Sequence, residues 1–307
     1  MTAAATLETE QRMTDEHKDG YRSIWSYLAE VAFRQDYVTV GDVRVRYAEA
    51  GDPAAPTVIM LHGTGGHWEA FCANIGPFAQ HFHVLAFDMV GAGFSSKPDR
   101  PYRVDELARF VKAFMDAKAI ARAHLVGVSL GAQTSARFAI DFPAHVDRIV
   151  LVSPVGLTRL APRSGDDSEQ QMQRRAAIVR DTSWDSTKSI FDGLIHDPRD
   201  VLDDLVSIRQ RIHRMPGAER DMLNVFAMIK PEHYLSGSLG DDELATMRAP
   251  TLAFVSEHDA PFFKESARVI GELAPDARVV PLGGVAHWAQ FETCDYFNDT
   301  AIAFLKG

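Results

Sequence analysis

One serine stands between two glycines in the stretch GVSLG, residues 127–131. An apolar run, HLVGV, precedes Ser129, and a helical pattern, AQTSARFAI, follows Gly131. Gly-x-Ser-x-Gly at a strand-to-helix seam is the sequence of a nucleophile elbow. Small residues let the turn close tightly, the serine Oγ is pushed above the sheet, and the helix N-terminus faces the same point. A serine hydroxyl is a weak nucleophile, so it needs a base, and the base needs a carboxylate to orient it. The apolar run TLAFV (251–255) leads into Ser256, Glu257, His258 and Asp259. Asp259 lies at the distance past a strand end where a loop carboxylate fits, with Glu257 as the alternative. Further on, VVPLGGVAHWAQFE places His287 in a glycine-rich loop after another apolar run. The chain order serine, acid, histidine is the one expected after such an elbow.

Attack on a carbonyl also requires donors for the developing oxyanion. The residue after the nucleophile, Leu130, supplies one backbone N–H. The loop after TVIML (57–61) reads HGTGG and is the expected source of the second. Gly63, Gly65 and Gly66 let that backbone curl close to a substrate, and Thr64 N–H is the candidate donor. Gly63, in that loop, and Val128, just before the nucleophile, are expected at the substrate. His62 is read as a brace for the loop.

These residues need a scaffold. TVIML, HVLAFD (83–88), HLVGV, RIVLVS (148–153), TLAFV and ARVVPL (277–282) are short continuous apolar runs. Parallel strands covered by helices on both faces read this way. YVTV and VRVRYAEAG alternate about a Gly-Asp turn and predict a hairpin. Helical periods occupy Asp105–Ala119, Ala132–Phe142, Phe263–Leu273 and Tyr296–Leu305. The alternation predicts an α/β fold: a mostly parallel central sheet with helices on both faces.

From about Leu157 to Ala249 no buried strand is legible; the segment is helical, charged and contains methionine. It predicts a helical cap over 157–249, inserted between core segments 37–156 and 250–307. Such caps close ligand crevices at the carboxyl ends of strands. Residues 1–36 are read as a polar tail (1–17) and an amphipathic helix with Tyr21, Ile24, Trp25, Leu28, Val31 and Ala32 on one face. That helix packs on its own core, or else forms a dimer contact or a latch.

The motifs HGTGG, FDMVGAGFSSKP, GVSLG, SEHD and GVAHWAQFE together resemble the α/β-hydrolase family over roughly residues 37–307. Within it, AHWAQFE is similar to the meta-cleavage product hydrolases, which split a carbon–carbon bond in ring-fission products. The resemblance implies a triad of Ser129, Asp259 and His287, Trp288 as a pocket wall, and a cap arginine for the substrate carboxylate. DDLVSIRQRIHRMP matches the stretch carrying that arginine, with Arg209 the better match and Arg211 the second. The subfamily usually has Asn before the nucleophile and another Asn after a longer glycine loop; Val128 and Ala70 stand there in this chain. Those departures favour a carboxylic ester or lactone as substrate, with carbon–carbon hydrolysis as the alternative and a ligand receptor with little turnover as a third reading.

Composition bounds the rest. A net charge of −10 leaves no electrostatic footprint for nucleic acid or an anionic membrane. Cys72 and Cys294 are the only two cysteines, with neither a disulfide framework nor metal-ligand spacing. The expectation is a cytoplasmic enzyme acting on a small molecule without metal or cofactor, with a homo-oligomer left open.

Overall fold

The computed structural model describes residues 20–161 and 165–307; the polar tail 1–17 lies outside them. Eight strands form one sheet: β1 (Phe33–Val40), β2 (Val43–Ala50), β3 (Thr57–Leu61), β4 (His83–Phe87), β5 (Ala123–Val128), β6 (Val146–Val152), β7 (Thr251–Ser256) and β8 (Ala277–Leu282). Their spatial order is β1-β2-β4-β3-β5-β6-β7-β8. β1 and β2 form the expected hairpin, β2 runs antiparallel to β4, and β4, β3, β5, β6, β7 and β8 are parallel.

The continuous apolar runs follow from burial on both faces. In β3, Ile59 and Leu61 join one core cluster while Val58 and Met60 join the other. The helices are α1 (Trp25–Leu28), α2 (Cys72–Ala79), α3 (Val104–Ala117), α4 (Leu130–Asp141), α5 (Gly165–Arg180), α6 (Trp184–Lys188), α7 (Asp203–His213), α8 (Ala218–Phe226), α9 (Pro231–Gly237), α10 (Asp241–Ala245), α11 (Pro261–Leu273), α12 (Ala289–Glu292) and α13 (Cys294–Lys306). α3, α4 and α11 cover the face that carries Ile59, and α2 and α13 the face that carries Met60. Between β6 and β7 the elements are helical, α5 to α10 with short 3₁₀ turns, plus an isolated bridge from Leu157 to Leu239. Among the described residues no helix is long and apolar enough to cross a membrane.

The amphipathic helix expected from Tyr21 to Ala32 is reduced to the four residues of α1, and β1 begins at Phe33. The residues before and at the start of α1 are tied to the start of α7. Tyr21 Oη donates to Asp204 at 2.7 Å, Ile24 N–H donates to Asp204 at 3.0 Å, and Arg22 N–H donates to Asp203 at 2.7 Å. Those carboxylates hold the polar groups of the segment against α7, and Tyr21 and Trp25 are left exposed while Ile24 and Leu28 are buried. The segment therefore docks on its own chain. Helix α2 is not legible in the sequence, because Gly76 and Pro77 read as breakers. Gly76 is required by the docking: a Cβ there would lie 2.7 Å from Val31 Cγ2.

Candidate active site

The elbow forms where β5 meets α4. Ser129 adopts φ 56°, ψ −115°, a left-handed conformation that a non-glycine residue holds only when its surroundings impose it. Close packing imposes it here. A Cβ on Gly127 would lie 2.2 Å from Gly131 O, and one on Gly131 would lie 1.9 Å from Leu61 O. Ser129 N–H donates to Val152 O at 2.9 Å, and its carbonyl accepts from Gln133 N–H at 3.0 Å. The turn is thus anchored to β6 on one side and to α4 on the other.

Asp259 and His287 meet on the loops after β7 and β8. Nδ1 of His287 lies 3.1 Å from each Asp259 carboxylate oxygen. The carboxylate only accepts, so Nδ1 carries the proton and Nε2 keeps its lone pair. Both side chains are buried, and the Phe263 ring lies 4.4 Å from the imidazole centroid. Ser153, also at positive φ, donates its Oγ to His287 O at 3.1 Å and fixes that loop to the end of β6. Glu257 points elsewhere: it is exposed and accepts from Gly284 N–H at 2.9 Å. The described contacts include no hydrogen bond from Ser129 Oγ to His287; such bonds are often long outside a Michaelis complex.

The HGTGG loop is braced as expected. His62 Nε2 accepts from Met89 N–H at 3.0 Å, and Nδ1 donates to Gly63 O at 2.7 Å. Both bonds require the neutral ring, and burial pushes the His62 pKa down to about 4. Behind the loop, Arg46 pairs with Asp88 and Glu69, each at 2.7 Å. Asp88 also accepts from Trp68 N–H and Phe94 N–H at 2.8 and 2.7 Å. That is the structural content of FDMVGAGFSSKP: its aspartate ties the loops after β3 and β4 together.

Ser129, His287 and Asp259 line one cavity of about 540 Å³, within the range of small-molecule sites. Gly63, Thr64, Leu130, Arg209 and Trp288 line it too. The Trp288 ring is held edge-on to Phe191 at 5.7 Å, and the Trp288 backbone N–H donates to Leu194 O at 2.8 Å. Arg209 is buried on α7 and donates Nη1 to Gly65 O. Burial first, and Arg175 second, pull its pKa down to about 10. Arg211, on the opposite side of α7, is exposed against Phe94.

Val128, expected at the substrate, is not. It is the last residue of β5 and is buried with Val126 in the apolar cluster on one sheet face, outside the cavity lining. Strand alternation turns residue 128 into the core just before the elbow lifts residue 129 out of it. Ala70 is likewise buried and off the lining. Sequence reasoning missed Arg175, His213 and Gln133, which do line the cavity. Arg175 and His213 come from helices whose charged pattern reads as solvated surface. Gln133, four residues beyond Ser129 on α4, was findable from helix spacing.

His213 is buried, and burial pushes its pKa down to about 3, with Arg209 adding to the effect. His62 and His213 thus bind protons more weakly folded than unfolded. Between pH 6.5 and 4 the unfolded chain takes up protons that the native chain refuses, so stability is fully present above about pH 6.5 and is lost as pH falls. The expected urea midpoint is lower at pH 5 than at pH 7, by up to about 2 kcal/mol of stability per histidine. An unchanged or higher midpoint at pH 5 would contradict this.

The alpha/beta hydrolase fold family matches residues 56–293. The chain belongs to the α/β-hydrolase family and is a hydrolase. Its relatives include the 2-hydroxy-6-oxo-6-phenylhexa-2,4-dienoate hydrolase of Comamonas testosteroni, 32% identical over 280 residues, covering 87% of this chain and 93% of that one. The 2-hydroxy-6-oxononadienedioate/2-hydroxy-6-oxononatrienedioate hydrolase of the same organism is 28% identical, covering 87% and 92%. Among solved structures, the 2-hydroxy-6-oxo-6-phenylhexa-2,4-dienoate hydrolase of Rhodococcus sp. strain RHA1 superposes with a TM-score of 0.77 at 22% identity, covering 90% of this chain and all of that one. The resemblance to meta-cleavage product hydrolases read from the motifs is therefore supported across nearly the whole chain.

Proposed function

We propose that the chain hydrolyses a carbon–carbon bond in a 2-hydroxy-6-oxo-dienoate, a meta-cleavage ring-fission product, through Ser129, His287 and Asp259. The observation that carries the reading is a single cavity lined by Ser129, His287 and the buried Arg209. A substrate with a ketone at one end and a carboxylate at the other is what such a cavity suits. The relatives named for this chemistry add to it.

The steps balance on these residues. The 2-hydroxyl proton moves to C5, giving a 2-oxo-enoate with a saturated C5. His287 Nε2 takes the Ser129 proton while Oγ bonds to C6. Leu130 and Thr64 N–H groups hold the oxyanion. When it collapses, the C5–C6 bond breaks and its electron pair runs into the enone, ending as a dienolate at O2. His287 returns the proton there, and the 2-hydroxydienoate leaves. Water, deprotonated by the same imidazole, then releases the acid from Ser129. Asp259 holds the imidazole in the Nδ1–H form and stabilises its cation. The helices between β6 and β7 act as the cap that shuts this cavity.

The sequence reading placed an ester or lactone first because Val128 and Ala70 replace two asparagines. Both are core residues off the cavity lining, so they bear little on the polarity of the site. The order is reversed here. The test is turnover of the dienoate against that of a neutral 4-nitrophenyl ester of similar size. The expected kcat/KM favours the dienoate by at least about 10²-fold, the scale of one charge-assisted carboxylate contact. A preference for the neutral ester would restore the esterase reading.

A further inference from the structure

Two cavity groups have no part in the steps above. Arg175, on α5, lines the cavity with its guanidinium 5.7 Å from the Phe226 ring centroid. Among the described residues no carboxylate pairs with it, and none pairs directly with Arg209; Asp88 and Glu69, both engaged by Arg46, act on Arg209 only from a distance. His213 lies four residues after Arg209, on the same face of α7. It is 5% exposed, and neither ring nitrogen has a hydrogen-bond partner. Buried polar groups without partners are costly, so a site that keeps them unpaired in the protein is shaped for a ligand.

We infer that Arg175 and His213 complete a polar pole with Arg209, selecting substrates whose carboxylate carries an oxygen on the adjacent carbon. The inference rests on the proposed function for the position of the reacting end, and adds how the other end is chosen. Arg175 and Arg209 share the carboxylate, each guanidinium presenting donors that match its two oxygens. His213 stays neutral and hydrogen-bonds the neighbouring oxygen, accepting from an enol or donating to a ketone or enolate. During cleavage negative charge arrives at that same oxygen, so the pole also steadies the leaving dienolate.

The test uses full-length Ser129→Ala protein, which separates binding from turnover. Calorimetric titration compares phenylpyruvate, 3-phenylpropanoate and 3-phenylpropanamide. The expected order of affinity is the 2-oxo acid, then the simple acid, then the amide. Adding Arg175→Gln should weaken both acids by about 10-fold or more and leave the amide unchanged, as expected for loss of a charged hydrogen-bond partner. Adding His213→Phe should abolish only the advantage of the 2-oxo acid. Arg175→Lys, which keeps the charge, should recover part of the acid affinity, and equal thermal midpoints exclude a folding defect. Acid binding within twofold after Arg175→Gln, or no preference for the acids at the outset, would overturn the inference. Absence of any Ser129-dependent turnover in the parent protein would instead sink the proposed function, whatever the titrations show.

Discussion

Replacing Ser129 by alanine is expected to lower kcat by at least about 10⁴-fold while leaving the fold intact, the scale seen when a nucleophile is removed from a hydrogen-bonded triad. The argument is geometric. Ser129 is held at positive φ by packing of Gly127 and Gly131 against backbone atoms, and none of those contacts involves its hydroxyl. Alanine meets the same backbone constraint and removes only Oγ, so stability should change by less than about 1 kcal/mol. The loss must then appear in kcat at an unchanged thermal midpoint. Residual activity within tenfold of the parent would remove Ser129 from the nucleophile's role.

Asp259→Asn is expected to cost about 10³- to 10⁴-fold in kcat, and Glu257→Gln less than about threefold. Both Asp259 oxygens lie 3.1 Å from His287 Nδ1. An asparagine amide facing Nδ1 can donate, which favours the tautomer whose lone pair is on Nδ1 and whose proton blocks Nε2. The imidazole would then be the wrong way round to take a proton from Ser129. Glu257 is exposed, lies 3.9 Å from His258 Nε2 and accepts from Gly284 N–H, a loop contact that a glutamine oxygen also makes. Paired steady-state kinetics on one substrate decide the matter, and the reverse ranking would reassign the acid.

What could be read from the chain in advance follows from local physics. Runs such as TVIML announce parallel strands because both faces are buried, and GVSLG announces an elbow because Gly127 and Gly131 have no room for a Cβ. Asp259 and His287 were legible because each sits a fixed reach beyond a strand end. The rest depends on long-range packing. The N-terminal segment docks through Asp203 and Asp204, some 180 residues away in sequence, a pairing that no local pattern announces. Arg175 and His213 looked like surface residues because their helices carry charge on several sides, and only the closing of α5 and α7 over the sheet turns them inward. Val128 misled for the opposite reason: adjacency to the nucleophile in sequence is not adjacency in the cavity, since strand alternation separates the two.

Whether this chain cleaves a carbon–carbon bond is decided by identifying the products. Purified protein is mixed with 2-hydroxy-6-oxo-6-phenylhexa-2,4-dienoate, and the mixture is resolved by chromatography with mass detection. Benzoate and 2-hydroxypenta-2,4-dienoate are expected in equal amounts, appearing as the dienoate absorbance decays and absent with Ser129→Ala. Persistence of the dienoate, under conditions where the same protein splits a simple ester through Ser129, would contradict it and identify the chain as an esterase of this family.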